Sequence, residues 1–344
     1  MPIHLVGDVA SHSNARFDES AVTNIHIGLI NNMPDAALKA TERQFLALLN
    51  SAANGIAVRL SLYALPDVPR GVEGRRHINR FYSGIENLWD SHVDGLIVTG
   101  TEPRAANLKD EPYWGSFTRV LEWAEHNTHS AVWSCLAAHA AILHLDGIAR
   151  RRLEDKRFGV FECARASDHQ LTAGVSSTLR VPHSRWNDIP GNELADCGYR
   201  VLTRAKDGSV DAFVKERKSL FVFFQGHPEY EANTLLLEYR RDVGSYLRGE
   251  RDAYPPMPLG YFDRHTTALL TKLRDRALSG RHTELLADFP TAQGEKRIAK
   301  TWGAMAARVY GSWLAYLCTH KESRLMVRKP GASLLAGEAG VKPA

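Results

Sequence analysis

Two segments of this chain, Gly95-Leu96-Ile97-Val98-Thr99-Gly100 and Ala131-Val132-Trp133-Ser134, are apolar on consecutive residues rather than on alternate ones. A strand with one face in water alternates apolar and polar side chains, because successive residues point to opposite faces. A run that does not alternate is covered on both faces, as in the middle of a parallel sheet packed between helices. The intervening sequence supplies such helices. Residues 115–126 place Phe117, Val120, Leu121 and Ala124 on one stripe, and Leu38, Phe45, Leu48 and Leu49 form another beyond Pro34. Ile25–Ile30, Val58–Tyr63, Ser209–Val214 and Leu220–Phe224 read as further strands, followed by a helix from about 233 to 246. This alternation predicts an α/β fold with a doubly wound, mainly parallel sheet.

Four parts are expected. Residues 1–23 are polar and patternless, an N-terminal arm; 24–250 form the core; 251–325 form a helical extension docked on it; 326–344 form a mobile tail. The proline-rich stretch Tyr254-Pro255-Pro256-Met257-Pro258 marks the change of character, and about 255–297 has the look of an insertion. Beyond it Ile298, Trp302, Met305, Val309, Trp313 and Tyr316 keep helical spacing.

Composition removes several function classes. The formal charge is only +4 over 344 residues, and Arg150-Arg151-Arg152 and Arg240-Arg241 are each flanked by acidic residues. A nucleic-acid surface needs a broader one-sided basic stripe; a mild positive charge instead suits a small anionic substrate. No apolar run approaches the roughly 18 residues of a membrane span. The four cysteines show no C-x-x-C pair and the N-terminus has no leader pattern, so a reducing cytoplasm and free thiols are expected. There is no phosphate-cradling glycine loop and no metal-ligand spacing, so neither a bound metal nor a cofactor is expected.

Cys135 is the residue that could carry chemistry. It follows the Ala131–Ser134 strand and opens the helical run Ala137–Leu145, with small neighbours. Ligands bind at the carboxyl ends of strands in such sheets, and a thiol at a helix start has its thiolate favoured by the dipole. On local context alone, an inert buried cysteine is an equally good reading. His227 and Glu229 shift that balance, because they lie two apart at the end of another strand and can project together. A histidine held by a carboxylate can take a proton from a thiol, giving a Cys-His-Glu triad. Cys163, Cys197 and Cys318 lack such partners and read as packing residues.

Several ordered segments then resemble one family. They are Asn31-Asn32-Met33-Pro34, Gly95–Gly100, Asp110-Glu111-Pro112-Tyr113-Trp114, Lys156 before Gly159-Val160-Phe161-Glu162, Pro182-His183-Ser184-Arg185 and Gly226-His227-Pro228-Glu229-Tyr230. Together, over about residues 24–320, they are similar to the homoserine O-succinyltransferase (homoserine O-acyltransferase) family of methionine biosynthesis, which has the flavodoxin-like fold of class I glutamine amidotransferases. The resemblance implies that Cys135 forms an acyl-thioester from acyl-CoA as co-substrate, that His227 and Glu229 complete the triad, and that Lys156, Ser184 and Arg241 bind substrate. It implies ping-pong transfer of a succinyl group, with acetyl the lesser expectation, to the hydroxyl of L-homoserine. Backbone N–H groups of Asn31, Asn32 and Leu136 are the expected oxyanion donors. The acyl-specificity position falls on Arg104, whose guanidinium could pair with a succinyl carboxylate. His139 stands where the family carries Gln. Only small-molecule partners are expected, with no nucleic acid and no membrane; a homodimer is left open. A glutamine amidohydrolase on the same triad, revealed by ammonia release, is the competing enzyme reading. A non-catalytic regulatory protein on the same scaffold is the third; it would form no adduct at Cys135.

Overall fold

The computed structural model describes residues 3–6, 21, 23–291, 294–295, 298 and 300–328. In chain order the strands are β1 (Ile3–Val6), β2 (Asn24–Ile30), β3 (Ala57–Tyr63), β4 (Gly95–Thr99), β5 (Ser130–Ser134), β6 (Arg151–Arg165), β7 (Thr178–Asp188), β8 (Arg200–Ala205), β9 (Val210–Glu216) and β10 (Leu220–Phe224). The helices are α1 (Asp35–Ala52), α2 (Val72–Phe81), α3 (Glu86–Trp89), α4 (Trp114–Asn127), α5 (Leu136–Asp146), α6 (Gly191–Asp196), α7 (Thr234–Leu247), α8 (Arg264–Ser279) and α9 (Gly303–Arg328).

The strands form one sheet in the order β1-β3-β2-β4-β5-β10-β9-β8-β6-β7. From β1 to β10 every pairing is parallel; from β10 to β7 every pairing is antiparallel. β4, β5 and β10 are buried along their whole length, as non-alternating runs require. One sheet face packs on α1 and α9 through Phe45, Leu49, Tyr310 and Trp313. The other packs on α4 and α5 through Phe117, Leu121, Ala138 and Ile142. The stripes expected on α1 and α4 are the buried ones.

Three details differ from the sequence reading. Residues 3–6 were expected in a patternless arm; they pair with β3 as a parallel edge strand, while most of 7–22 lies outside the described residues. The tail expected from 326 begins later, since α9 runs to Arg328, and 329–344 lie outside the described residues. The long β6–β7 hairpin was missed, because its exposed, charge-rich first half has no apolar alternation to read.

In the segment expected to form the helical extension, Ile298 and Trp302 precede α9 rather than belong to it. Trp302 is buried and its indole N–H donates to the Tyr230 carbonyl at 2.9 Å. Trp313 donates to Ser130 Oγ at 2.9 Å, at the start of β5. Leu270, Leu273, Ala277 and Phe289, within the segment that looked inserted, form a third apolar cluster with Tyr239 and Val243 of α7. Leu259 joins β6 through a two-bond parallel bridge, donating to Phe158 O and accepting from Val160 N.

Close approach of α9 to β4 depends on Gly95. A Cβ there would lie 2.7 Å from Leu317 Cδ1 and 2.9 Å from the Trp313 ring. Gly95→Val is therefore expected to overpack this contact and lower stability by about 1–3 kcal/mol. A urea midpoint equal to that of the parent would contradict this packing.

Candidate active site

Cys135 sits between β5 and α5 with φ 52° and ψ −112°, a left-handed conformation that side chains rarely adopt. Such strain costs about 1–3 kcal/mol and persists only where neighbours hold it. Here the Cys135 N–H donates to the Phe224 carbonyl at 2.7 Å, tying the turn to the end of β10. The tight strand-to-helix turn sets the thiol at the N-terminus of α5. Gly100 makes room for it, because a Cβ at that position would lie 2.5 Å from Leu136 Cβ and 2.9 Å from Leu136 N.

β10 continues into Gln225, Gly226 and His227. The His227 N–H donates to Pro182 O at 2.8 Å, which fixes the loop to β7. Its Nδ1 bonds Glu229 Oε1 at 2.8 Å, and its ring stacks on Tyr230 with centroids 4.3 Å apart. Cys135 lies close enough to act on the same ring. Burial disfavours a charged imidazole here, but the Glu229 carboxylate and Cys135 outweigh it and raise the His227 pKa well above the ordinary 6.5. His227 and Glu229 are thus brought together by a hydrogen bond, with Cys135 near the same imidazole.

Beside the triad, two carboxylates one turn apart on α7 gather the expected substrate residues. Glu238 accepts from Ser184 Oγ at 2.5 Å and from Tyr230 Oη at 2.6 Å. Lys156 Nζ lies 3.0 Å from Asp242 Oδ2 and 4.0 Å from Glu238 Oε2. Arg241 pairs with Asp242 Oδ1 through Nε and Nη2 at 3.0 and 2.9 Å. Burial opposes the Asp242 charge, yet Lys156 and Arg241 together hold its pKa below the usual carboxylate value. Arg104 lies apart from this ring, exposed, on a loop whose backbone is pinned by Glu111 Oε1 accepting from Arg104 N and Ala105 N at 2.6 and 2.7 Å.

A family model described as homoserine O-succinyltransferase matches residues 7–324. A homoserine O-succinyltransferase of Rhodopseudomonas palustris is 45% identical over 90% of this chain and 93% of its own length. Another, of Methylorubrum extorquens, is 43% identical over 90% and 92%. The chain belongs to the homoserine O-succinyltransferase family. Among solved structures, a glutamine amidotransferase from Methylobacillus flagellatus has 16% identity and a TM-score of 0.48, covering 86% of this chain and 95% of that one.

Among residues expected to act in this transferase family member, two oxyanion donors need correction. The Asn31 N–H donates to Tyr63 O at 2.8 Å and the Asn32 N–H to Thr99 Oγ1 at 2.8 Å, so both are spent on holding their turn. The Leu136 N–H, at the start of α5 and beside Gly100, fits the role, since first-turn amides have no partner within their helix.

Glu238 and Asp242 were not singled out from sequence. Their i, i+4 spacing on a helix was the available signal, and it is weak because such pairs are common on solvated faces. The sequence also gave no hint that Cys163, His183 and Asp211 come together. They lie on β6, β7 and β9, with ligand atoms within 4.8 Å of one another and all three residues buried. Such a trio could hold a cation. Arg185 Nε donates to His183 Nδ1 at 3.3 Å, while His183 Nε2 and Asp211 Oδ1 lie 3.3 Å apart and neither has a hydrogen-bond partner among the described residues. Burial pushes the His183 pKa down to about 4 and raises that of the Cys163 thiol. No helix of the described residues is long and apolar enough to cross a membrane.

Glu229→Gln removes an anion that charges His227, so the imidazole pKa should fall, read by ring nitrogen NMR. A group raised in the folded state contributes stability below its unfolded value and loses it as pH rises through the folded value. The stability gap between parent and variant should therefore be widest near or below pH 6.5 and narrow above it. An unshifted imidazole titration would remove Glu229 from the triad.

Proposed function

We propose that this chain transfers a succinyl group from succinyl-CoA to the hydroxyl of L-homoserine through a thioester on Cys135. The observation that carries the reading is the strained Cys135 turn beside a His227 imidazole that is itself braced by Glu229. The relatives' names supply the donor and acceptor.

In the first half-reaction the Cys135 thiolate adds to the thioester carbonyl. The oxyanion forms opposite Leu136 N–H, one such donor being worth ~3–4 kcal/mol in comparable sites. Collapse expels CoA as a thiolate, which takes the proton from the His227 imidazolium. In the second half-reaction neutral His227 removes the homoserine hydroxyl proton as the oxygen attacks the acylated Cys135. Collapse releases the ester and restores the thiolate–imidazolium pair. Succinyl-CoA plus homoserine thus gives O-succinylhomoserine plus CoA.

The ring on α7 suits an amino-acid acceptor. Arg241, with its side chain 64% exposed, offers a guanidinium to the α-carboxylate. Glu238 and Asp242 offer counter-charge to the ammonium, with Lys156 and Ser184 setting their positions. Arg104, at the rim of the loop after β4, sorts donors at the mouth. No metal or cofactor takes part in this scheme.

Intact-mass analysis after mixing with succinyl-CoA alone should show Cys135 carrying one succinyl group, and none in Cys135→Ser. Glutamine hydrolysis to ammonia without an adduct would overturn the reading in favour of an amidohydrolase. Arg104→Glu should lower the preference for succinyl-CoA over acetyl-CoA by about tenfold, one charged hydrogen bond being worth ~1.5–3 kcal/mol. An unchanged preference would remove Arg104 from donor selection.

A further inference from the structure

Helix α2 buries almost nothing of its own. Of its ten residues only Gly74 is fully buried, while Val72 and Phe81, at its two ends, are 65% and 42% exposed. Arg75, Arg76 and Arg80 are exposed too, against a single acidic residue on the helix, Glu73. A surface helix is normally held to the core by an apolar stripe, so a helix this polar owes its place to other contacts. Polar tethers supply them. At its start Arg70 Nη2 donates to Asn31 O at 3.1 Å, Arg70 Nη1 donates to Met33 O, and the Gly71 N–H donates to Asp35 Oδ2 at 2.7 Å. At its end Tyr82 Oη donates to Glu42 Oε1 at 2.6 Å and accepts from Asn31 Nδ2 at 3.0 Å, and the Ser83 N–H donates to Leu62 O at 2.9 Å.

These tethers put α2 at the carboxyl ends of β2 and β3, on the edge of the sheet that carries the nucleophile. Strands β3, β2, β4 and β5 are parallel neighbours, with Tyr63 opposite Ile30, Ile30 opposite Val98, and Thr99 opposite Ser134, the residue before Cys135. Three strand spacings separate β3 from β5, about 14 Å. The cations of the helix itself are not used up in holding it. Arg70 is spent on its tethers and His77 on Glu42, at 2.7 Å. Arg76 pairs with Glu73 at 2.9 Å, but the two side chains are 73% and 80% exposed, so water screens the pair. Arg75 makes one bond, to the Arg70 carbonyl, and the Arg80 guanidinium lies 5.1 Å from the Phe81 ring centroid. Arginines grouped beside an exposed aromatic ring are the chemistry that takes phosphates and a base together.

We propose that α2 holds the nucleotide end of the acyl-CoA donor, with Arg75, Arg76 and Arg80 meeting its phosphates and Phe81 stacking with its adenine. The proposal rests on the acyl-transfer reading above and adds the site for the part of the donor that does not react. The pantetheine arm matches the gap. About thirteen bonds join its sulfur to the first phosphorus, comparable to four or five residues of extended chain, or roughly 15 Å. With the thioester at Cys135, the phosphates therefore arrive at the end of β3. Arg104 then acts on the acyl group and α2 on its carrier.

The test compares succinyl-CoA with succinyl-N-acetylcysteamine, which has the same thioester and no nucleotide. It uses the parent chain, the combined variant Arg75→Gln, Arg76→Gln, Arg80→Gln, and a control that removes two exposed cations elsewhere, Arg119→Gln with Arg264→Gln. An exposed charge contact is worth a factor of roughly two to five. The α2 variant should therefore lower the ratio of kcat/KM for succinyl-CoA to that for the short thioester by about tenfold, through KM, while the control keeps the ratio. Added salt should raise the parent's KM for succinyl-CoA and move that of the α2 variant much less. An unchanged ratio in the α2 variant, or an equal fall in the control, overturns the assignment. Calorimetry with CoA alone separates this from failure of the transfer reading. A parent that forms no thioester, yet binds CoA more tightly than the α2 variant does, loses the reaction and keeps the site. Equal CoA binding by parent and α2 variant removes the site whatever the reaction.

Discussion

The hydrogen bond from the Cys135 amide to the Phe224 carbonyl joins the ends of two adjacent central strands, and the site is assembled around it. On one side of it β5 turns into α5 through a left-handed cysteine; on the other β10 runs on toward His227. Without that bond the strained turn would have little reason to persist, since its cost of about 1–3 kcal/mol must be met by neighbours. With it, the Cys135 turn is fixed by the register of β5 against β10.

Two further sets of contacts keep this junction rigid. Pro182 O on β7 accepts the His227 amide, and the Trp302 indole caps the Tyr230 carbonyl three residues on. The C-terminal extension therefore braces the His-Pro-Glu-Tyr loop through Trp302. Tyr230 completes the frame, stacking on His227 while donating to Glu238. Base and acceptor ring are thus linked through one side chain.

Charge is distributed by the same logic. The cations Lys156 and Arg241 are balanced by Glu238 and Asp242, so the ring on α7 is neutralised.

Much of this protein was legible in its residues alone. The non-alternating apolar runs required a sheet covered on both faces, and the i, i+3, i+4 stripes named the covering helices, because both periods are local properties of a chain. Cys135, His227 and Glu229 could be named as well, since each stands at the end of a readable strand. What only the tertiary structure decided depends on which groups are already satisfied and which distant residues meet. The Asn31 and Asn32 amides were good oxyanion candidates until Tyr63 and Thr99 took them. Glu238 and Asp242 became part of a site only when Lys156 and Ser184, from the unread β6–β7 hairpin, arrived beside α7. Periodicity records burial of a face; it does not record the partner of an individual donor, which is set by contacts far apart in sequence.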